Sequence, residues 1–233
     1  MKINILTLFP EYFATPLQQS ILKRAKQKSL VEFEIIDIRD FATDKHQITD
    51  DRPYGGGAGM VLKIEPIARA LHSLETRNQK PESLNKTQRT KTKDQNSVTL
   101  LTSAKGKLFT QEKAKNYSEL DELTIICGHY GGVDERVAEH LVDEEIRIGD
   151  YVLTGGESAA LVISDAVTRL LPGVLGNEES LANESHSQDV KFAHPVYTVP
   201  REFNGWAVPE VLLAGDHKKI EGWRENQQTS KMS

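Results

Sequence analysis

Ile146-Arg147-Ile148-Gly149-Asp150-Tyr151-Val152-Leu153-Thr154-Gly155-Gly156-Glu157 is the stretch on which the reading of this chain turns. It starts as an apolar strand, breaks at Gly149-Asp150, resumes as Tyr151-Val152-Leu153 and ends in Gly155-Gly156-Glu157. Glycine inside a strand pattern marks a bend or the close approach of another backbone. Two such breaks in one short run predict a backbone that wraps something flat and polar. Glycine clusters at Gly55–Gly59 and Gly128–Gly132 repeat the signal elsewhere.

Around this segment the hydrophobic periodicity alternates between strand and helix. Strands are expected at 3–8, 31–38, 98–101 and 123–127, and helices at 10–28, 64–74, from about 110, at 133–142 and at 157–171. Pro172-Gly173 ends the last of these. The alternation predicts an α/β fold with a mostly parallel sheet. Ligands bind such sheets at the carboxyl ends of the strands. Thr102-Ser103, Gly128 and Gly149 all follow expected strands, so they are candidates for one shared site.

The organisation expected is a main domain over 1–172, a flexible linker over 173–191 and a small helical unit over 192–233. Residues 76–96 carry almost no apolar side chain and read as a mobile insertion. That insertion is basic, with Arg77, Lys80, Lys86, Arg89, Lys91 and Lys93 against Glu82 and Asp94.

Composition excludes several classes. The 233 residues carry a net charge of −5, which argues against a protein that coats nucleic acid everywhere but leaves room for a local basic face. One cysteine, Cys127, rules out an internal disulfide, and no Cys/His pattern has zinc spacing. Met1–Leu8 is too short and alternating for a signal peptide, and no run approaches the length of a membrane span, so a soluble cytoplasmic protein is expected.

The loop Asp50-Asp51-Arg52-Pro53-Tyr54-Gly55-Gly56-Gly57-Ala58-Gly59-Met60 lacks the Gly-Lys-Ser/Thr of a phosphate loop. No strand-turn-helix carries Gly-x-Gly-x-x-Gly either, so a dinucleotide oxidoreductase is a poorly supported alternative. What remains is a lid in which acidic and basic groups flank an aromatic ring, suited to a nucleobase. Asp165 and Arg169 stand four residues apart on one helix face. Residue chemistry alone therefore gives an α/β enzyme-like domain with a glycine-walled pocket and a mobile loop.

Several of these strings together resemble one family. Asp50–Met60, Cys127-Gly128-His129-Tyr130 with Gly132-Val133-Asp134-Glu135-Arg136-Val137, Ile148–Glu157 and Pro172-Gly173-Val174-Leu175-Gly176 are similar to the TrmD family, the bacterial tRNA (guanine-N1)-methyltransferases of the SPOUT superfamily. Leu8-Phe9-Pro10-Glu11, Arg39-Asp40-Phe41 and Val211-Leu212-Leu213 extend the likeness along nearly the whole chain.

The resemblance implies a C-terminal trefoil knot in the main domain, a homodimer with the active site at the subunit interface, and a tRNA-binding role for the small unit. It implies S-adenosyl-L-methionine as methyl donor, held by Leu101, Thr102, Ser103, Gly128, Tyr130, Ile148, Gly149, Tyr151, Leu153, Gly155 and Gly156. The acceptor implied is N1 of the guanosine 3′ of the anticodon in tRNA. By position, Glu184 stands where the family has its aspartate base and Arg169 matches its catalytic arginine. Asp50, Arg52, Tyr54, Gly55 and Ser185 fall at substrate-binding positions.

Departures from the family pattern are specific. The signature's arginine is His129, and the glutamate connected with magnesium dependence is Gly131. Proline positions of the cofactor walls and lid carry Ala104, Ala159 and Ala58, and Tyr-Thr-Arg-Pro reads Tyr197-Thr198-Val199-Pro200. The chain stops soon after Trp223, short of the basic helices of longer members. A catalytically weakened tRNA-binding protein of the same fold is the alternative these departures raise.

Overall fold

The computed structural model describes residues 1–78, 96–176, 184–186 and 192–229. Most of the expected insertion and linker lies outside these. The chain divides into two compact units, residues 1–175 and 176–233.

The first unit runs β1 (Lys2–Thr7), α1 (Ser20–Gln27), β2 (Glu32–Asp37), β3 (Asp50–Asp51), β4 (Val61–Leu62), α2 (Ile64–Asn78), β5 (Ser97–Leu108), α3 (Gln111–Ser118), β6 (Glu122–Ile126), α4 (Glu135–His140), β7 (Glu144–Arg147) and α5 (Glu157–Thr168). Five strands form one sheet in the order β2-β1-β6-β5-β7, every pairing parallel. β3 and β4 form a separate antiparallel pair at the root of the glycine loop.

Parallel strands covered on both faces read as continuous apolar runs because both sets of alternating side chains are buried. β1 behaves so: Ile3 and Ile5 join a core with Phe13, Ala25, Ile163 and Val167, while Leu6 joins Ile67, Leu71 and Leu74 on the other face. Each face removes its apolar side chains from water at roughly 25 cal/mol per Å². Asn4 is buried too, and its amide donates to Glu122 Oε1 at 2.5 Å and Thr124 Oγ1 at 3.2 Å, so the strand tolerates a polar group.

The structure corrects the sequence reading in three places. Residues 10–28 do not form one helix: 3-10 turns at Pro10–Phe13 and Pro16–Gln18 precede α1. Proline lacks an amide and pushes its predecessor out of the α region, so Pro16 interrupts the helix the apolar spacing suggested. Tyr151-Val152-Leu153 is not a resumed strand; β7 stops at Arg147 and these side chains are exposed. The second unit is not purely helical. A hairpin of β8 (Glu202–Phe203) and β9 (Trp206–Ala207) precedes helices α6 (Glu210–Leu213) and α7 (His217–Thr229). Asn204 and Gly205, both at positive φ, make the tight turn such hairpins favour.

β5 is the irregular strand. It pairs with β7 at Leu100–Thr102, leaves the ladder, and pairs again from Lys107. On the way Gly106 passes so close to β7 that a Cβ there would lie 2.4 Å from the Ile146 amide nitrogen. Among the described residues, no helix is long and apolar enough to cross a membrane.

A glycine-walled cleft at the strand ends

The carboxyl ends of β5, β6 and β7 open into a cleft of about 430 Å³. Volumes of roughly 300–1,000 Å³ suit small ligands and cofactors. β5 contributes Leu101, Thr102 and Ser103; the turn after β6 contributes Gly128 and Tyr130; the segment after β7 contributes Ile148, Gly149, Tyr151, Leu153, Gly155 and Gly156. Every residue the resemblance assigned to the methyl donor therefore lines this one cleft.

The three turns are stitched by hydrogen bonds that use Thr102 as the hub. Its hydroxyl donates to the Ile126 carbonyl at 3.1 Å and accepts from the Gly128 amide at 3.0 Å. The Gly156 amide then donates to the Gly128 carbonyl at 2.8 Å, and His129 bridges Gly155. Gly156 lies so close that a Cβ on it would meet Thr102 Oγ1 at 1.9 Å and the Gly128 nitrogen at 2.8 Å. Glycine is required there by packing, because its φ of −81° suits any residue.

α5 begins at the end of this stitch. Gly156 caps it without a side-chain bond, and the first helical residue, Glu157, is 4% exposed. A carboxylate there favours the positive end of the helix dipole. Glu157 Oε1 accepts from the Thr7 hydroxyl at 2.8 Å, and Oε2 faces His129 Nδ1 at 3.8 Å. Cys127 lies nearby; burial, then the Glu157 charge, pushes its thiol well up. That makes Cys127 a core residue rather than a nucleophile.

The cleft rim is charged. Lys105 Nζ bonds both Glu135 oxygens at 2.5 Å and lies 3.5 Å from Glu145 Oε1, with its ammonium pKa raised by the Glu135 bond first. Arg147 reaches the Gly106 carbonyl at 2.5 Å and Asp150 at 2.8 Å, tying the irregular stretch of β5 to the turn after β7. His129, Lys105, Glu135 and Glu145 line the cleft but were not expected there. Their partners are distant in sequence, and only the repeated glycine turns hinted at a wall.

Of the other expected site residues in the first unit, Asp50, Arg52, Tyr54, Gly55 and Arg169 do not line the cleft. Asp50 pairs with Leu62 across β3–β4, Arg52 and Gly55 are exposed, and Tyr54 is fully exposed at 103%. The root of this loop is tied to the cleft: the Gly131 amide donates to Met60 at 2.8 Å, and the Leu62 amide to Gly132 at 3.0 Å. Arg169 follows α5 directly, half-buried, its amide bonded to the Asp165 carbonyl. Glu184 and Ser185 belong to the second unit, with Glu184 half-buried and Ser185 Oγ accepting from the Ala193 amide at 2.8 Å. Among the described residues no group of three or more His, Cys, Asp or Glu side chains is placed to hold a metal ion.

Comparison with known proteins points the same way along the whole chain. The family model described as "tRNA (Guanine-1)-methyltransferase TrmD" matches residues 1–233. A tRNA (guanine-N(1)-)-methyltransferase of Carboxydothermus hydrogenoformans is 52% identical over 97% of this chain and 82% of that relative. Relatives of the same description in Dehalococcoides mccartyi and Anoxybacillus flavithermus are each 48% identical over 97% of this chain and 85% and 86% of their own lengths.

Proposed function

The chain belongs to the tRNA (guanine-N1)-methyltransferase family, and from that membership we propose that it methylates N1 of the guanosine 3′ of the anticodon in tRNA, with S-adenosylmethionine as donor. The observation that carries the reading is the cleft built on Thr102, Gly128 and Gly156, where close-packed glycines let the turns after three strands meet and leave a wall without side chains. Such a wall suits the flat, polar edge of an adenine, with Leu101, Ile148 and Leu153 as apolar cover.

Bound there, the donor supplies an electrophilic methyl group on a sulfonium. The remaining demands fall on side chains. Neutral guanine N1 carries a proton and is a weak nucleophile, so a general base must take that proton as the N–C bond forms and the S–C bond breaks. Glu184 is the base in this reading. Negative charge then builds on O6, and the Arg169 guanidinium stabilises it. The Asp50–Met60 loop closes over the guanine, with Tyr54 offering a stacking face.

The same reading takes the departure of β5 from β7 and the return of residues 148–156 beneath Gly128 as a trefoil knot of SPOUT type. It also takes the protein as a cytoplasmic homodimer in which linker and loop of one subunit complete the cleft of the other. Exposed Tyr151 and Val152 at the cleft, together with exposed Phe9, Tyr12 and Val162 elsewhere on the first unit, support self-association. The small unit, with Lys218, Lys219 and Arg224, is assigned to tRNA. Magnesium, which the resemblance leaves possible, would find no side chain at Gly131, where the family pattern has a glutamate.

Glu184→Gln tests the assignment. Methyl transfer to a tRNA transcript should fall at least about 100-fold, in line with loss of a general base, while donor binding by calorimetry stays unchanged. Near-normal turnover would remove Glu184 from the role. Absence of methyl transfer by the unaltered protein on any tRNA transcript would favour the binding-protein alternative.

A further inference from the structure

We propose that His129 is a positioning residue of the donor cleft, acting through Glu157 as a clasp that draws the turn after β6 onto the start of α5. The inference rests on the cleft being the S-adenosylmethionine site. His129 Nδ1 is buried without a hydrogen-bond partner and stands 3.8 Å from Glu157 Oε2. The gap between them exists because residue 155 is glycine: a Cβ there would sit 2.3 Å from Glu157 Oε2 and 2.4 Å from His129 Nδ1.

A shift of about 1 Å would convert this separation into a charge-assisted hydrogen bond. The two groups sit on the two segments that meet across the cleft floor, where the Gly156 amide holds the Gly128 carbonyl. A ligand resting on Gly128 and Gly155–Gly156 bears on both segments at once. The clasp is an ion pair: the imidazolium, with a proton on both ring nitrogens, closes on a carboxylate that is 4% exposed.

The surroundings leave the carboxylate as the natural partner. From β1 comes the Thr7 hydroxyl, already committed to Glu157 Oε1. The rings of Phe9 and Tyr130 each pack with their centroids 4.8 Å from that of the imidazole. Arg39 lies behind Phe9, 5.5 Å from its ring centroid, and Cys127 is a buried neutral thiol. Glu157 is thus the one anion the described structure places against the ring.

The test is calorimetry of S-adenosylmethionine binding between pH 5.5 and 8.5 on the full chain, across the range in which imidazoles gain and lose a proton. In the unaltered protein affinity should fall about five- to tenfold as pH rises, and binding near pH 7 should take up a proton, read from buffers of differing ionisation enthalpy. His129→Arg should bind tightly at every pH without proton uptake. His129→Gln should bind weakly at every pH. In methyl-transfer assays the change should appear in donor KM, with kcat at saturating donor within about twofold. A pH profile and proton uptake that persist in His129→Arg overturn the clasp while leaving the donor site standing. No donor binding by the unaltered protein at any pH overturns the site itself. If His129→Gln does not fold, proton uptake by the unaltered protein still decides: its absence overturns the proposal.

Discussion

Two glycine-rich regions of this chain look alike in sequence and differ in kind. In the cleft wall, Gly156 has a φ of −81° and no room for a side chain. In the loop rooted on β3 and β4, Gly56 has a φ of +81° and nothing within 4 Å of where a Cβ would stand. The first is glycine because another backbone occupies the space; the second because the chain turns left-handed in the open. One region has no space for a side chain, and the other has space but a backbone that favours glycine.

Gly156→Ala strikes the crowded region hardest. The methyl must displace Thr102 Oγ1 or the Gly128 backbone, so donor affinity should drop about 100-fold or more, an overpacking cost of a few kcal/mol. Retained affinity in calorimetry would break the comparison at its strongest point. Thr102→Val keeps the volume but leaves the Gly128 amide without its acceptor, a loss of about 1–3 kcal/mol. Donor affinity should fall about tenfold. Gly56→Ala in the loop costs about 1 kcal/mol of left-handed strain. It should leave donor affinity within about twofold while slowing methyl transfer, and a large loss of donor binding would erase the distinction between the regions.

The smallest effect lies at the foundation of the crowded wall. Glu144, the first residue of β7, accepts from Lys113 Nζ at 2.6 Å and from the Tyr117 hydroxyl. Burial alone would raise its pKa, but these bonds outweigh that and hold it below the ordinary 4.5. Its folded value is depressed, so its contribution to stability is present above pH 4.5 and lost as pH falls through the folded value. Glu144→Gln should flatten the acid limb of the melting-temperature profile below that pH and leave neutral donor binding unchanged.

Legibility in the sequence tracks how local each signal is. β1 and β6 are found within a residue or so because both are short runs rich in isoleucine and leucine. α1 is shorter than its apolar spacing because Pro16 acts on the backbone, which periodicity does not register. The cleft-lining glycines were legible as repeated breaks. The pairing of His129 with Glu157 was not, since it depends on two turns meeting across Gly155. The hairpin at 202–207 escaped because strands of two residues carry no period, although Asn204-Gly205 between two aromatics is the local sign of one.

The order of the sheet also says when, in the life of the chain, the cleft comes into being. β1 and β2, the first strands to leave the ribosome, are neighbours and can pair at once, whereas β5 must wait for β6 and then β7. The cleft draws every wall from residues 101–159 and takes its floor from the bond between Gly156 and Gly128. A nascent chain halted before Ile146 would hold four of the five sheet strands and no binding site. The cleft therefore exists only once β7 and the turn to Gly156 are in place, and a molecule that fills it stabilises only chains in which they are.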